Sequence, residues 1–256
     1  MSTPPAAEAA ALPPGDVSLP SERLLATLRP VVRTLVNTWY DVHQHGLEHI
    51  PDGPVIVASN HLGLLDGPLL AAYFPRPVHA LTKKEMFDTT LGPFLRSVGQ
   101  IPLARYEVDS AAIRACSGVL RRGGVVGIYP EGARGAGDLA RIHNGVAYLG
   151  LVAGAPILPL AVFGTREPGG GMNSTPKRGA RFDFVYGPPV YLTPTPWPRR
   201  QREVRAAAST VLKHLRRHLD QAMTSTGREL PGNLPEADRR QVEAEIRGTS
   251  KGMTDA

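Results

Sequence analysis

Between Gly46 and Pro188 the chain alternates short, almost wholly apolar runs with stretches of helical periodicity, and this alternation restricts the fold more than any other feature. Residues 55–59, 78–82, 125–129, 157–162 and 181–186 read as strands, bounded by Gly, Pro, Asn and Asp. Residues 68–73, 91–98, 110–121 and 145–152 read as the intervening helices. Strands apolar on both sides must be covered on both sides, which predicts an α/β sheet sandwiched between helices. No internal repeat or linker interrupts the pattern. A chain of 256 residues therefore suits one domain with a substantial core.

The flanks read differently. Residues 1–20, rich in Ala and Pro, lack the basic start and compact apolar run of a secretory signal and read as a disordered leader. Leu24, Leu25, Leu28, Val31, Val32, Leu35, Val36 and Trp39 then recur at helical spacing on one face. Such a helix either packs on its own core or lies in a membrane interface, with Arg29 and Arg33 beside anionic lipid. Pro30 is expected to kink or split it. No apolar stretch reaches the roughly 20 residues of a spanning helix, so a soluble or peripheral protein is expected. A last long helix is predicted at 198–223, with Val204, Ala208, Val211, Leu215 and Leu219 inward and Arg202, Arg205, Lys213, Arg216 and Arg217 outward. Such a charge run is a solvated face or a lipid contact. The polar tail beyond Gly227 is expected to fray, around a short helix at 235–247, and 166–179 reads as a mobile loop.

The chemistry concentrates in Asn60-His61-Leu62-Gly63-Leu64-Leu65-Asp66, directly after the first apolar strand. On a helix, His61 and Asp66 would be separated by roughly 140°, and on a strand they would face opposite ways. They meet only if the chain turns, which Gly63 permits. Asp66 would then accept from one ring nitrogen of His61 and leave the other to remove a proton. Taken alone, the two residues could equally be a satisfied surface pair. The chain has no GxSxG elbow, and its single cysteine, Cys116, lies in a predicted helix. A substrate hydroxyl is thus the economical nucleophile.

A second cluster, Tyr129-Pro130-Glu131-Gly132-Ala133-Arg134-Gly135, follows another apolar strand. In α/β sheets, ligands collect at the carboxyl ends of strands, where the forked donors of Arg134 suit a phosphate. An Arg–Glu pair stapling the loop explains the same residues. Lys83 and Lys84 after one strand, and Arg105 after Gly99-Gln100-Ile101-Pro102-Leu103-Ala104, would add positive charge at that edge.

With 29 Lys and Arg against 23 Asp and Glu, the net charge is +6, which suits anionic partners of any class. Aromatic residues make up only 6%, and no stacking platform or recognition helix is evident, which argues against nucleic acid. One cysteine excludes an internal disulfide framework and fits a reducing cytosol. His43 and His45 form at most a pair, and ligand sets make metal sites, so no metal is expected.

Together these blocks resemble the PlsC-like glycerolipid acyltransferases, the lysophosphatidic acid acyltransferases. That family carries NHxxxxD, a block ending in Arg, FPEGTRS and an apolar block around Pro, in this order. Asn60–Asp66, Gly99–Arg105, Tyr129–Gly135 and Ala155-Pro156-Ile157-Leu158-Pro159-Leu160 match them, and Gly46-Leu47-Glu48-His49-Ile50-Pro51 looks like the family's opening strand. The resemblance extends from Val42 to Pro189. Ala133 and Gly135 stand where the family has Thr and Ser, which removes two hydroxyls, and Tyr129 replaces Phe.

The resemblance implies a single α/β domain at 46–226 with a mixed, largely parallel central sheet flanked by helices. An N-terminal amphipathic helical segment at 21–45 precedes it and a polar tail at 227–256 follows. It also implies acyl transfer from an acyl-CoA or acyl carrier protein thioester to a lysophospholipid hydroxyl. His61 would be the general base and Asp66 its orienting partner, with no cofactor. Arg134, Arg105, Lys83 and Lys84 would hold the acceptor phosphate, and Glu131 and Gly132 would shape its pocket. The expected setting is the cytoplasmic face of a membrane, peripherally bound. Other acceptors, namely glycerol 3-phosphate, a glycolipid or another lyso-lipid, and an idle lipid-binding protein of the same fold are the alternatives.

Overall fold

The computed structural model describes residues 23–105 and 109–251, with side chains to residue 244; the leader expected at 1–20 lies outside these residues. Seven strands form one sheet: β1 (Asp41–His45), β2 (Val55–Ser59), β3 (Val78–Lys83), β4 (Ile101–Leu103), β5 (Val125–Ile128), β6 (Ile157–Phe163) and β7 (Arg181–Tyr186). Their order is β1-β7-β6-β2-β5-β3-β4. Every pairing is parallel except β6 with β7, so the sheet is mixed and largely parallel, as expected.

β2 sits at the centre, between β5 and β6, and all five of its residues are buried. Its alternation divides the core. Val55 and Val57 join Leu69, Leu70, Phe74, Phe182 and Phe184 on one face. Ile56 and Ala58 join Val119, Val146, Leu149, Val211 and Leu215 on the other. Helices α1 (Arg23–Asn37) and α2 (Asp66–Tyr73) cover the first face. Helices α4 (Ser110–Arg121), α5 (Gly145–Ala153) and α6 (Gln201–Thr226) cover the second, and the short α3 (Gly92–Ser97) lies between β3 and β4 in sequence. Asp109 caps α4 by accepting from Ala112 N–H at 2.9 Å, satisfying one of the orphan donors of its first turn.

The N-terminal region departs from expectation in three ways. Helix α1 is not split at Pro30 but runs through it to Asn37. The following Asp41–His45, assigned by sequence to the helical segment, is the edge strand of the sheet and pairs with β7. The expected opening strand at 46–51 is instead a 3-10 turn, Leu47–His49, entered through Gly46 at φ 73°.

The seven apolar residues of the pattern that lie in α1, and Trp39 just beyond it, also do not share one environment. Leu25 is buried, and Val32 and Val36 pack towards the core, whereas Val31 and Leu35 are 64% and 63% exposed and Leu24 and Trp39 lie outward with them. Their arc is wider than the strip that α2 can cover. Arg29 donates to the Phe74 carbonyl just past the end of α2, and the Arg33 guanidinium lies 5.4 Å from the centre of the Tyr73 ring. These two cations turn inward, towards the partially negative end of α2, and do not flank the exposed stripe.

At the other end, α6 buries Val204, Ala208, Val211, Leu215 and Leu219 as its periodicity predicts. Arg216 donates to the carbonyls of Leu139 and Ala140. The tail carries a longer helix than expected, α7 (Glu236–Lys251). It is anchored, since Asp238 accepts from Met172 N–H at 2.7 Å. No described helix is long and apolar enough to cross a membrane.

Candidate active site

β2 delivers Asn60 and His61 to the carboxyl edge of the sheet at its centre, where the chain leaves in opposite directions on the two sides of β2. Asn60 is buried and acts as a piece of backbone. Its amide donates to Val162 O at 3.0 Å and its carbonyl accepts from Val162 N at 2.8 Å, which extends the β2–β6 pairing by one residue. His61 is thereby held at the point where the strand ends.

The turn between His61 and Asp66 is tight, and Asp66 opens α2. Asp66 Oδ2 accepts from His61 Nδ1 at 2.7 Å, from Leu62 N–H at 2.6 Å and from Gly63 N–H at 3.0 Å. Oδ1 accepts from the Thr165 hydroxyl. The Asp66 side chain is fully buried, whereas that of His61 is 19% exposed. A buried carboxylate is tolerable when its lone pairs are filled, and here backbone, ring and hydroxyl fill them. The Nδ1 bond leaves Nε2 as the ring nitrogen available to a substrate. Gly63 is required for a reason other than the turn itself. A Cβ at this position would lie 2.7 Å from the Thr165 carbonyl oxygen, so the loop after β6 passes directly over it.

Three further groups hold His61. Tyr129, at the end of β5, stacks on its ring with centroids 4.1 Å apart. Gly135 N–H donates to its carbonyl at 3.0 Å. Glu131 Oε1 accepts from its backbone N–H at 2.9 Å. Burial pushes the Glu131 carboxyl up to about 7, against the lowering effect of its bonds to the His61 and Leu139 amides. Glu131 therefore braces the backbone of His61. The sequence expectation places Glu131 at the wall of a phosphate pocket; the contact seen here is its support of His61.

The expected phosphate ligands occupy unequal positions. Arg105 reaches back from the end of β4 to donate to Gly132 O at 3.0 Å. Gly132 adopts φ 77°, a conformation strained for a residue with a side chain, and a Cβ there would displace the His143 ring, whose Nε2 would lie 2.6 Å away. His143 thus joins Arg105 around Gly132, and its pKa is lowered by burial and then by the nearby charges of Arg141 and Arg105. Arg134 donates to Met172 O at 2.8 Å and to Asn173 Oδ1 at 2.7 Å, in the loop after β6. Lys83 ends β3, two strands from His61, and Lys84 opens the next 3-10 turn and is exposed. His61, Asp66, Glu131, Gly132 and Arg105 are linked by bonds or adjacency; Arg134 precedes Gly135, which bonds the His61 carbonyl, but its side chain is tied to the loop after β6.

Sequence reasoning missed Thr165, Arg166 and His143. Arg166, expected in a mobile loop, is 2% exposed. Its Nε donates to Leu62 O at 3.0 Å, and its terminal nitrogens donate to the carbonyls of Gly170, Gly135 and Gly232. The loop is fixed at its start because this fork satisfies carbonyls from four segments. The signal was available: a polar pair one residue past a buried strand, much as Asn60-His61 follows β2. Elsewhere, Cys116 is buried and burial pushes its thiol up to about 12, so it is not a nucleophile. His43 and His45 hydrogen-bond Asp41 and Asp183 at 2.7 and 2.9 Å.

Comparison with known proteins gives a consistent picture. The family described as Acyltransferase matches residues 41–163. The chain is 26% identical over 186 residues to the 1-acyl-sn-glycerol-3-phosphate acyltransferase of Bacillus subtilis, covering 70% of this chain and 90% of that one. It is 33% identical over 132 residues to the Borreliella burgdorferi protein of the same name, covering 48% and 51%. With the Pseudomonas aeruginosa protein of that name it shares 27% over 135 residues, covering 51% and 52%, so it spans about half the length of these two relatives. The solved structure of the 1-acyl-sn-glycerophosphate acyltransferase PlsC from Thermotoga maritima has the same fold, with TM-score 0.57, 22% identity and coverage of 78% and 79%.

Proposed function

The chain belongs to the PlsC-like glycerolipid acyltransferase family and is an O-acyltransferase, and from that premise we propose that it acylates the free hydroxyl of lysophosphatidic acid. The observation that carries this reading is the His61–Asp66 pair. A buried, fully bonded carboxylate holds one ring nitrogen at 2.7 Å and leaves the other for substrate, while the chain's single cysteine is buried.

The reaction is direct transfer. His61 Nε2 takes the proton of the acceptor hydroxyl as that oxygen attacks the carbonyl of an acyl thioester. The tetrahedral intermediate collapses with cleavage of the C–S bond, and the imidazolium returns its proton to the departing thiolate. Asp66 fixes the ring and balances its transient charge. Arg105 and Arg134, with Lys83 and Lys84 at the rim, are the ligands for the acceptor phosphate, and His143 supplies a further donor beside Gly132. Acyl-CoA and acyl carrier protein are both candidate donors.

The reading is tested with purified protein against a grid of donors and acceptors: acyl-CoA and acyl carrier protein, each with lysophosphatidic acid, glycerol 3-phosphate, a lysophospholipid lacking a phosphomonoester, and a glycolipid. Phosphatidic acid is the expected main product. Preferred acylation of an acceptor without a phosphomonoester would replace this reading, and transfer to none would favour an idle lipid-binding protein.

Membrane contact is proposed through the outward stripe of α1. Leu24, Val31 and Leu35 on α1, at helical spacing, and Trp39 just beyond its end expose apolar surface, a pattern suited to an interfacial helix. Full burial of a Val or Leu is worth roughly 1.5–3 kcal/mol. Changing both Val31 and Leu35 to Asp should therefore weaken sedimentation with mixed anionic vesicles by at least about tenfold. Unchanged sedimentation of that folded variant would exclude the stripe as the docking surface.

A further inference from the structure

We propose that Thr165 is a positioning residue for catalysis, the third member of a hydrogen-bond chain that runs from its hydroxyl through Asp66 to His61. The inference rests on the acyl-transfer reading only for its kinetic consequence. Its structural basis is the division of labour at Asp66. Three donors converge on Oδ2: His61 Nδ1, Leu62 N–H and Gly63 N–H. The Thr165 hydroxyl donates to Oδ1. Three bonds to one oxygen fix its position but restrain the plane of the carboxylate weakly, because the group can still turn about Cβ–Cγ. A donor on the second oxygen restrains that rotation.

Thr165 is well placed for the task. It is fully buried, and it lies just past β6, the neighbour of the strand that carries His61. Its carbonyl packs against Gly63, where no Cβ fits. The next residue, Arg166, ties the same loop to the Leu62 carbonyl. Backbone and side chain of this pair therefore grip the His61–Asp66 turn from the opposite side of the sheet edge. Ionisable neighbours complete the surroundings of the carboxylate: Tyr129 over the ring, Glu131 at the His61 amide, and the Arg166 guanidinium. Of the donors to Asp66 among the described residues, Thr165 supplies the only side-chain hydroxyl.

The test compares Thr165→Val, which keeps the shape and removes the donor, with Thr165→Ser, which keeps the donor and removes the methyl. Two measurements are made. The first is the far-downfield Nδ1–H proton resonance of His61 in the resting protein, identified by its loss in His61→Gln. It requires no substrate and so decides the positioning claim even if the proposed acceptor is wrong. In Thr165→Val it should move upfield and exchange faster with water, and in Thr165→Ser it should stay near the wild-type position. The second is steady-state kinetics on whichever acceptor the substrate grid identifies. Removal of an outer hydrogen-bond partner should lower kcat on the order of tenfold, with the acceptor KM within about twofold, because the bond acts on the base and not on binding. Thr165→Ser should recover most of that rate.

If Thr165→Val is poorly folded, Thr165→Ala removes the same donor without a methyl pressed on the carboxylate. An unmoved Nδ1–H resonance in a donor-less variant overturns the proposal whatever its rate. So does a moved resonance with an unchanged kcat, and so does a Ser variant as impaired as the Val variant.

Discussion

In a His61→Ala variant, acyl transfer should fall by roughly 10^2–10^4-fold, the usual contribution of a positioned general base. The loss should appear in kcat, with KM for the acyl donor nearly unchanged, since the imidazole acts on the proton of the acceptor and not on donor binding. Fold should survive. The His61 ring is partly exposed at the sheet edge, and the bonds that hold this turn to its neighbours come from the backbone of His61 and from Asp66. Far-UV circular dichroism and a urea midpoint close to wild type would establish that. Retention of wild-type turnover would remove the dyad from the mechanism. Asp66→Asn is the companion measurement: it should lower kcat less, because the ring remains present but can settle in the wrong tautomer.

The second large effect is on stability. Arg166→Met keeps the apolar stem and deletes the donors to the carbonyls of Leu62, Gly135, Gly170 and Gly232. Each buried acceptor left without a partner costs about 1–3 kcal/mol. Relaxation and water entry recover part of the sum, so a net loss of about 3 kcal/mol or more is expected. For a chain of this size that lowers Tm by roughly 6–12 °C. Arg166→Lys should recover only part, since one ammonium cannot reproduce the planar fork. Burial pulls the guanidinium pKa down while Asp66 and Asp238 pull it up, and these carboxylates favour the charged form. A urea unfolding curve for Arg166→Met superimposable on wild type would refute the structural role.

The two predictions divide the site into chemistry and scaffold. His61 is the proposed base and is expected to contribute little to fold stability. Arg166 takes no part in the proposed chemistry but joins the motif turn, the loop after β5, the loop after β6 and the C-terminal segment. Through Met172, the same region connects Asp238 near the start of α7 to Arg134. The tail, which reads from sequence as a fraying appendage, is therefore bonded to the loop that holds Arg134.

The strands most legible in advance are those whose residues are apolar on both sides. β2, with five buried residues, and β6, with seven, cannot be anything but interior. β1 was missed because Asp-Val-His-Gln-His is an edge strand, half exposed along its length. β4 was missed because three residues including Pro102 carry no period. Helix α1 was legible as a helix but not in its orientation. Periodicity specifies an apolar arc, and only the width of α2 decides how much of that arc is covered.

The site follows the same division. The sequence alone determined the α/β class, the place of His61 and Asp66 after a buried strand, and the cluster around Glu131, because each is a local pattern set by burial and spacing along one stretch of chain. The tertiary structure alone decided that Glu131 supports His61 from behind, that Arg29 and Arg33 turn inward, and that Thr165 and Arg166 complete the Asp66 turn. These are contacts between segments far apart in the chain. Hydrogen bonds and charge pairs at such separations leave no periodicity in the sequence; they exist only once the sheet has set its strand order and brought the ends of β2, β5 and β6 together.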